Sequence, residues 1–589
     1  MKKNSMFVMR RVLCLLVMLA MLLSFAACGN PSADSGSAST PGSTASTADT
    51  QPTTQPPTDP TKPTLPAGTA PPTEPTSPTP TDPTQPPEPE EPKLVYTLTQ
   101  EDVDEFYRLL DASRELSLAG VDMDAIDAAI LALEEQYTYL NAQCTTAMIL
   151  HYCDTTDTAL EEQYLGCVDI CTQANDAYLQ MVREIYLSDT PAKDSLFEGW
   201  TQDDFDSLMA YDERISQLQS RNAEIGVEYR AAADDDRKME LYIEFVNNNN
   251  TIAQFYGYDN YYTYAYEKVY DRDYGQEEMD QLREYAKNYL YESYYAALMN
   301  FYDSFYDRLF YEEQVAVSDF LFEDYNKLKT DYVSLYVESL PQEMADALRA
   351  MLNDNSIFAG GANANPGAFT TMIGDRSFCY FGPGYAGTTT VIHEGGHYFA
   401  SLYSDLNAIP LDLAETHSQG NEWLFIQFMD GNMSKNEYKA LVDYMILEDV
   451  SSMLMCLMVD EFEKIVYSTD LTGFTAEDFD AIMDSVTLQY FPDGDVAQML
   501  ADMNSYWRLV VVDQPVYYIS YAISAISSMS LYTVAVEDYD RALTIYMKLC
   551  QEVIEEEGFL GNISAAGLYT PFDEEFYQEL EALIAGRKR

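Results

Sequence analysis

The chain has 589 residues, with 33 Lys and Arg against 97 Asp and Glu, for a formal net charge of −64. A surface that acidic repels nucleic acid and anionic lipid, whereas it suits solubility and cationic peptides. The part that can fold, about 500 residues, is long enough for a large core split into lobes.

In chain order, Lys2, Lys3, Arg10 and Arg11 precede an apolar run from Val12 to Phe25. A basic start, a short apolar core and small residues before a cleavage point read as a secretory signal. The run is short for a membrane span. Phe25-Ala26-Ala27-Cys28 is similar to a bacterial lipoprotein signal, which implies a signal peptide over 1–27 and lipidation at Cys28. The expected location is then the extracellular face of the bacterial cell membrane, held there by lipid alone. An uncleaved anchor or plain secretion are the alternatives. Residues 29–93 are rich in Pro, Thr, Ser and Asp and have no aromatic residue. Such a stretch cannot bury enough apolar surface to offset its ordering entropy. Its Pro-Thr repeats favour extended polyproline II at about 3.1 Å per residue, so the linker over 28–93 can reach roughly 200 Å, as a stalk or an inert spacer.

Nine cysteines are present, seven of them beyond Cys14 and Cys28, and none has zinc-finger spacing. Cys167 and Cys171 lie one helical turn apart, with Cys144 and Cys153 ahead of them, so a local disulfide and buried free thiols are both open. From residue 94 onward apolar residues recur every three or four positions, which predicts a mainly α architecture. Thr99 to Asp102 opens the first helix as a capping box, and long helices are expected at about 122–152, 157–188, 201–230 and 235–256. This divides the chain into an N-terminal helical lobe, 94–235, and a second part, 236–589. Gly257 stops a helix, and Tyr264, Tyr266, Tyr270 and Tyr274 then follow at helical spacing, as core or as a substrate wall. Residues 377–381 read as a strand ahead of a Gly-Pro-Gly turn. A small sheet there could offer an edge to a peptide backbone.

The most informative stretch is Thr388 to Ala400, which contains His393-Glu394-Gly395-Gly396-His397. Histidines four apart share one helix face and can reach one zinc ion, with Glu394 at the edge of that face to act as a base. The plain alternative is a helix with two half-exposed histidines. Two adjacent glycines cost a helix interior about 1 kcal/mol each relative to Ala, which implies close passage of another backbone or of a substrate. Residues 400–403 lack the histidine that a metzincin would need. A third protein ligand is sought downstream, in Glu415-Thr416-His417-Ser418-Gln419-Gly420-Asn421-Glu422. Glu415 is the first choice, on a second helix packed against the first. Glu422, two turns on, reads as a solvated carboxylate or one that supports a ligand. His417 is two residues from Glu415 and so points elsewhere.

His-Glu-x-Gly-His followed by Glu-x-x-Ser-Gln-x-x-Glu resembles the thimet oligopeptidase and oligoendopeptidase F family of zinc metallopeptidases. The resemblance implies zinc held by His393, His397 and Glu415, Glu394 as base, and a large two-lobed helical fold whose enclosed channel admits short unfolded peptides. It covers the chain from about residue 240 to its end. Asp513 to Ala525 is similar to the family's Tyr-rich segment, which implies that Tyr521, and after it Tyr517 and Tyr518, bind substrate and stabilise the oxyanion. Pro515 is expected to start that helix, placing Tyr517 and Tyr521 on one face. The histidine that the family often has several residues upstream is replaced here by Val511 or its neighbours. Ala566 to Phe572 resembles the closing helix signal. The functional expectation is a zinc-dependent metalloendopeptidase. An inactive peptide-binding surface lipoprotein, or a dipeptidyl- or carboxypeptidase on a similar fold, are the alternatives.

Overall fold

Short polar side chains punctuate the chain, each starting a helix by occupying an amide that the helix cannot satisfy itself. Thr99 accepts from the Asp102 amide while Asp102 Oδ2 takes the Thr99 amide at 2.8 Å, the capping box expected there. It opens α1 (Gln100–Ala119). Asp122 and Asp157 do the same for α2 (Met123–Cys153) and α3 (Thr158–Leu187). The helix expected over 201–230 is two: α4 (Gln202–Ala210) and α5 (Glu213–Ala231). Asp212 accepts from the Arg214 amide and restarts the chain, and the Tyr211 hydroxyl is pinned by Asp176 and by Ser216. A side chain that caps well competes with helix continuation. α6 (Asp235–Phe255) follows, capped by Asp234.

The structure is a computed structural model that describes residues 94–587 apart from 323–330, 354–355, 362, 366, 375, 384–386, 405–408, 493–507, 509–510, 513 and 555–556. The stretch expected to be a signal, with Cys28, and the Pro/Thr-rich stretch after it therefore lie outside the described residues.

After α6 come α7 (Gln276–Tyr285), α8 (Tyr291–Phe301), α9 (Tyr311–Phe322), α10 (Asp331–Ser339) and α11 (Gln342–Asn353). The stretches 265–269, 286–290 and 302–307 are wound as π-helix. A three-stranded sheet interrupts the helices, with β1 (Ile357–Ala359) parallel to β3 (Arg376–Phe381) and β2 (Ala368–Ile373) antiparallel to it. β3 is central, with Cys379 facing Ile357 on one side and Thr370 on the other. The short strand β1 was not foreseen.

Then come α12 (Thr388–Ala400), α13 (Leu411–Phe428), α14 (Lys435–Tyr467), α15 (Ala476–Tyr490), α16 (Ile519–Glu537), α17 (Tyr539–Gln551), α18 (Gly558–Ala566) and α19 (Glu574–Gly586). Two large cores hold this together, with a small third one of Cys379, Phe381, Val391, Tyr398 and their neighbours between the sheet and α12. One joins α1–α5 through Phe106, Tyr137, Tyr178 and Ile185, and reaches Phe369 and Tyr380 of the sheet. The other runs from Ile225 to Ile584, so the chain changes core inside α5. Among the described residues α16 alone is long and apolar enough to cross a membrane. Its side chains are almost all buried against α13, α14 and α17, as in the central helix of a soluble core.

Candidate metal and catalytic site

The site begins with two glycines. A Cβ on Gly396 would lie 2.6 Å from the His417 carbonyl oxygen and 2.7 Å from Ser418 Cα, so α12 and α13 touch backbone to backbone. A Cβ on Gly395 would meet Leu348 of α11 at 2.9 Å. Asn421 of α13 locks the register: its amide donates to the Ile392 carbonyl at 2.6 Å and its oxygen accepts from Tyr336 at 2.7 Å. The glycine pair thus marks the approach of a neighbouring helix.

That approach brings Glu415 beneath the two imidazoles. Glu415 Oε2 is 3.6 Å from His393 Nε2 and 3.7 Å from His397 Nε2, and the ligand atoms of all three residues lie within 4.8 Å of one another. These separations are long for hydrogen bonds. They suit donors around one tetrahedral ion, where bonds near 2.0–2.1 Å set donors about 3.4 Å apart. The donor set of two imidazole nitrogens and a carboxylate is that of a catalytic zinc site, so these residues fit the ion that the resemblance implies.

Glu422 stands behind His393, its Oε1 accepting from Nδ1 at 2.6 Å. With the proton on Nδ1, the lone pair of Nε2 is directed at the shared point, the usual support of a metal-binding imidazole. Burial pulls the His393 pKa down, but Glu415 and Glu422 outweigh it and the net shift is upward. Burial pushes His397 down to about 3, which keeps that ring neutral. Burial alone would raise Glu415; the two imidazoles and the Tyr517 hydroxyl overcome it and hold the carboxyl below its ordinary value. His417 turns away, Nε2 to the Leu549 carbonyl at 3.0 Å, and it is absent from the cluster.

Glu394 is buried, and its Oε2 accepts from the Thr370 hydroxyl at 2.6 Å. Burial raises its pKa to about 7. Thr370 sits on β2, an edge strand of the sheet, and so ties that edge to the acid beside the histidines. Sequence reasoning missed Thr370, since nothing local distinguishes it from its neighbour Thr371.

The helix that carries the tyrosines starts later than expected. α16 starts at Ile519, not at Pro515, and Val516 has φ +63°. A β-branched residue there is strained. The turn is held from afar: Val516 donates its amide to Glu463 at 2.9 Å and accepts from Arg272 at 2.9 Å, while Tyr270 donates to the Pro515 carbonyl at 2.7 Å. Arg272 is clasped between Tyr266 and Tyr270, with its guanidinium carbon 4.4 and 4.6 Å from their ring centres. Tyr266 and Tyr270 of the aromatic series after Gly257 thus grip this turn, while Tyr274 donates to Asp412 at 2.8 Å. Tyr517 donates to Glu415 Oε1 at 2.6 Å, a partner that the sequence did not point to. Tyr521 and Tyr518 pack around it, with ring centres 5.4 and 6.0 Å from that of Tyr517. Arg272 and Glu463 were not anticipated. Glu463 had a readable signal, an acid one turn from Asp460 on the buried face of α14.

No family model matches the sequence, and no curated protein matches it. Solved structures do. PZ peptidase A with an inhibitor aligns at 17% identity and TM-score 0.64, over 84% of this chain and 97% of that one. A Bacillus anthracis str. Ames protein assigned as oligoendopeptidase F aligns at 15% identity and TM-score 0.65, over 83% and 97%. A further structure assigned as oligoendopeptidase F gives 16% and 0.65, over 84% and 97%. The chain has the oligoendopeptidase F fold. The likeness extends well upstream of residue 240, so it takes in the N-terminal helices that the motifs alone left unassigned.

Proposed function

We propose that the chain is a zinc-dependent metalloendopeptidase acting on short unfolded peptides. The observation that carries this is the convergence of His393 Nε2, His397 Nε2 and Glu415 Oε2 beside the buried acid Glu394. A zinc ion held by those three groups would supply Lewis acidity, polarising the scissile carbonyl and lowering the pKa of a water toward neutrality. The chain's own residues do the rest. Glu394, held through Oε2 by Thr370, takes the proton of the attacking water and delivers it to the leaving amine nitrogen. Glu422 fixes the tautomer of His393 and Tyr517 steadies Glu415. Tyr521, packed on Tyr517, is the hydroxyl assigned to the tetrahedral oxygen. The edge strand β2, bound to Glu394 through Thr370, is placed to pair with a peptide backbone.

The peptidase fold supports this reading, as does a net charge of −64, which draws cationic peptides and repels nucleic acid. The enclosed channel and the anchoring through a lipid on Cys28 belong to the same proposal. Cleavage of one long fluorogenic peptide, with products followed in time, tests it. Internal cuts that stop in the Glu394→Gln variant are expected. Stepwise trimming from one end would instead assign an exopeptidase, and no cleavage with zinc in place would leave a peptide-binding protein.

A further inference from the structure

A second cluster of metal-binding side chains lies in the N-terminal helices. The Sγ atoms of Cys144 on α2 and of Cys167 and Cys171 on α3 all lie within 4.8 Å of one another, in a buried position. Two features separate this cluster from an ordinary set of core thiols. Cys167 and Cys171 are four apart on one helix, the spacing by which His393 and His397 share a face. The third sulfur comes from a different helix, α2, and Tyr96, from the segment that leads into α1, packs against the same core.

A disulfide uses this geometry poorly. Residues four apart on a helix hold their Cβ atoms about 5–6 Å apart, against about 3.5–4.5 Å in a disulfide. Cys167 and Cys171 therefore cannot bridge without unwinding α3, and a bridge from Cys144 to either would strand the third sulfur. One ion satisfies all three sulfurs together.

We propose that Cys144, Cys167 and Cys171 form a trithiolate site for a thiophilic d10 cation, Zn²⁺ or Cu⁺, that clamps α2, α3 and the segment around Tyr96. Soft thiolates select these ions. Zn²⁺ would complete a tetrahedron with the Tyr96 oxygen or a water, whereas Cu⁺ is content with three sulfurs. Binding exchanges the thiol protons for the metal, so no oxidant is needed.

The test uses the full chain carrying His393→Ala and His397→Ala, reduced, stripped of metal and then loaded with Zn²⁺ alone or Cu⁺ alone. One equivalent per chain is expected, with an X-ray absorption spectrum that shows three sulfur neighbours at about 2.3 Å for zinc. Adding Cys167→Ser should remove that equivalent while far-ultraviolet circular dichroism stays the same. In the chain with intact histidines, Cys167→Ser should leave peptide cleavage unchanged. Should Cys167→Ser fail to fold, the absorption spectrum of the cysteine-intact chain decides alone. No sulfur-bound ion with either metal overturns the site, and so does a thiol titration in denaturant that shows two of the three sulfurs already joined in the chain as purified.

Discussion

The α12–α13 pair and the turn before α16 both deliver side chains to the same carboxylate, yet they are built in opposite ways. In α12 the chemistry is local. Helical spacing alone puts His393 and His397 on one face, and two glycines let α13 come close enough to present Glu415. In the turn, nothing local predicts the result. Val516 adopts a backbone conformation that its side chain disfavours, because Arg272, Tyr270 and Glu463 hold it from segments distant in the chain. A periodic element writes its geometry into sequence spacing. A strained turn takes its geometry from buried partners that spacing does not reveal.

The sharpest way to break this contrast is at Glu394. Glu394→Gln should lower kcat by about 10³-fold, within the range for loss of a general base, while zinc content is unchanged by elemental analysis. Loss of the metal together with activity would make Glu394 a structural acid. Next comes the helix contact. Gly396→Ala should destabilise the chain by about 3 kcal/mol, the upper part of the overpacking range, read from the midpoint of urea unfolding, and should weaken zinc binding as α13 is pushed away. A neutral substitution would show that the helices are not seated backbone to backbone.

The turn is tested by splitting its tyrosines. Tyr517→Phe removes the hydroxyl on Glu415 and should weaken zinc affinity by about 10-fold, the lower end for groups that orient a metal ligand. Tyr521→Phe should instead lower kcat with zinc affinity unchanged. Equal effects on both quantities in both variants would erase the distinction drawn between them. The smallest effect is expected from a conservative change at Glu463. Burial raises its pKa well above the ordinary value, and Gln keeps the oxygen that accepts from Val516, so Glu463→Gln should change stability by less than about 1 kcal/mol. Glu463→Ala leaves the Val516 amide unpaired in the core and should cost about 1–3 kcal/mol.

The same contrast explains how far the sequence was legible. His393, Glu394 and His397 are visible in five consecutive residues, and the family resemblance pointed to Glu415. The capping box at Thr99 was equally local. The break at Tyr211 and Asp212 was not, because it depends on Asp176 of a different helix gripping Tyr211. Thr370 became recognisable only once β2 was laid beside α12. The start of α16 was misplaced because Pro515 favours a helical first turn in isolation, and the long-range clamp on Val516 overrides that preference.

The proposed chemistry depends on one ion shared by two imidazoles and one carboxylate. A crystal of the full chain grown with zinc, measured at the zinc absorption edge, addresses it directly. The expected result is an anomalous peak about 2.0–2.2 Å from His393 Nε2, His397 Nε2 and a Glu415 oxygen. A fully occupied zinc ion elsewhere in the molecule, with no peak between those three residues, would contradict it.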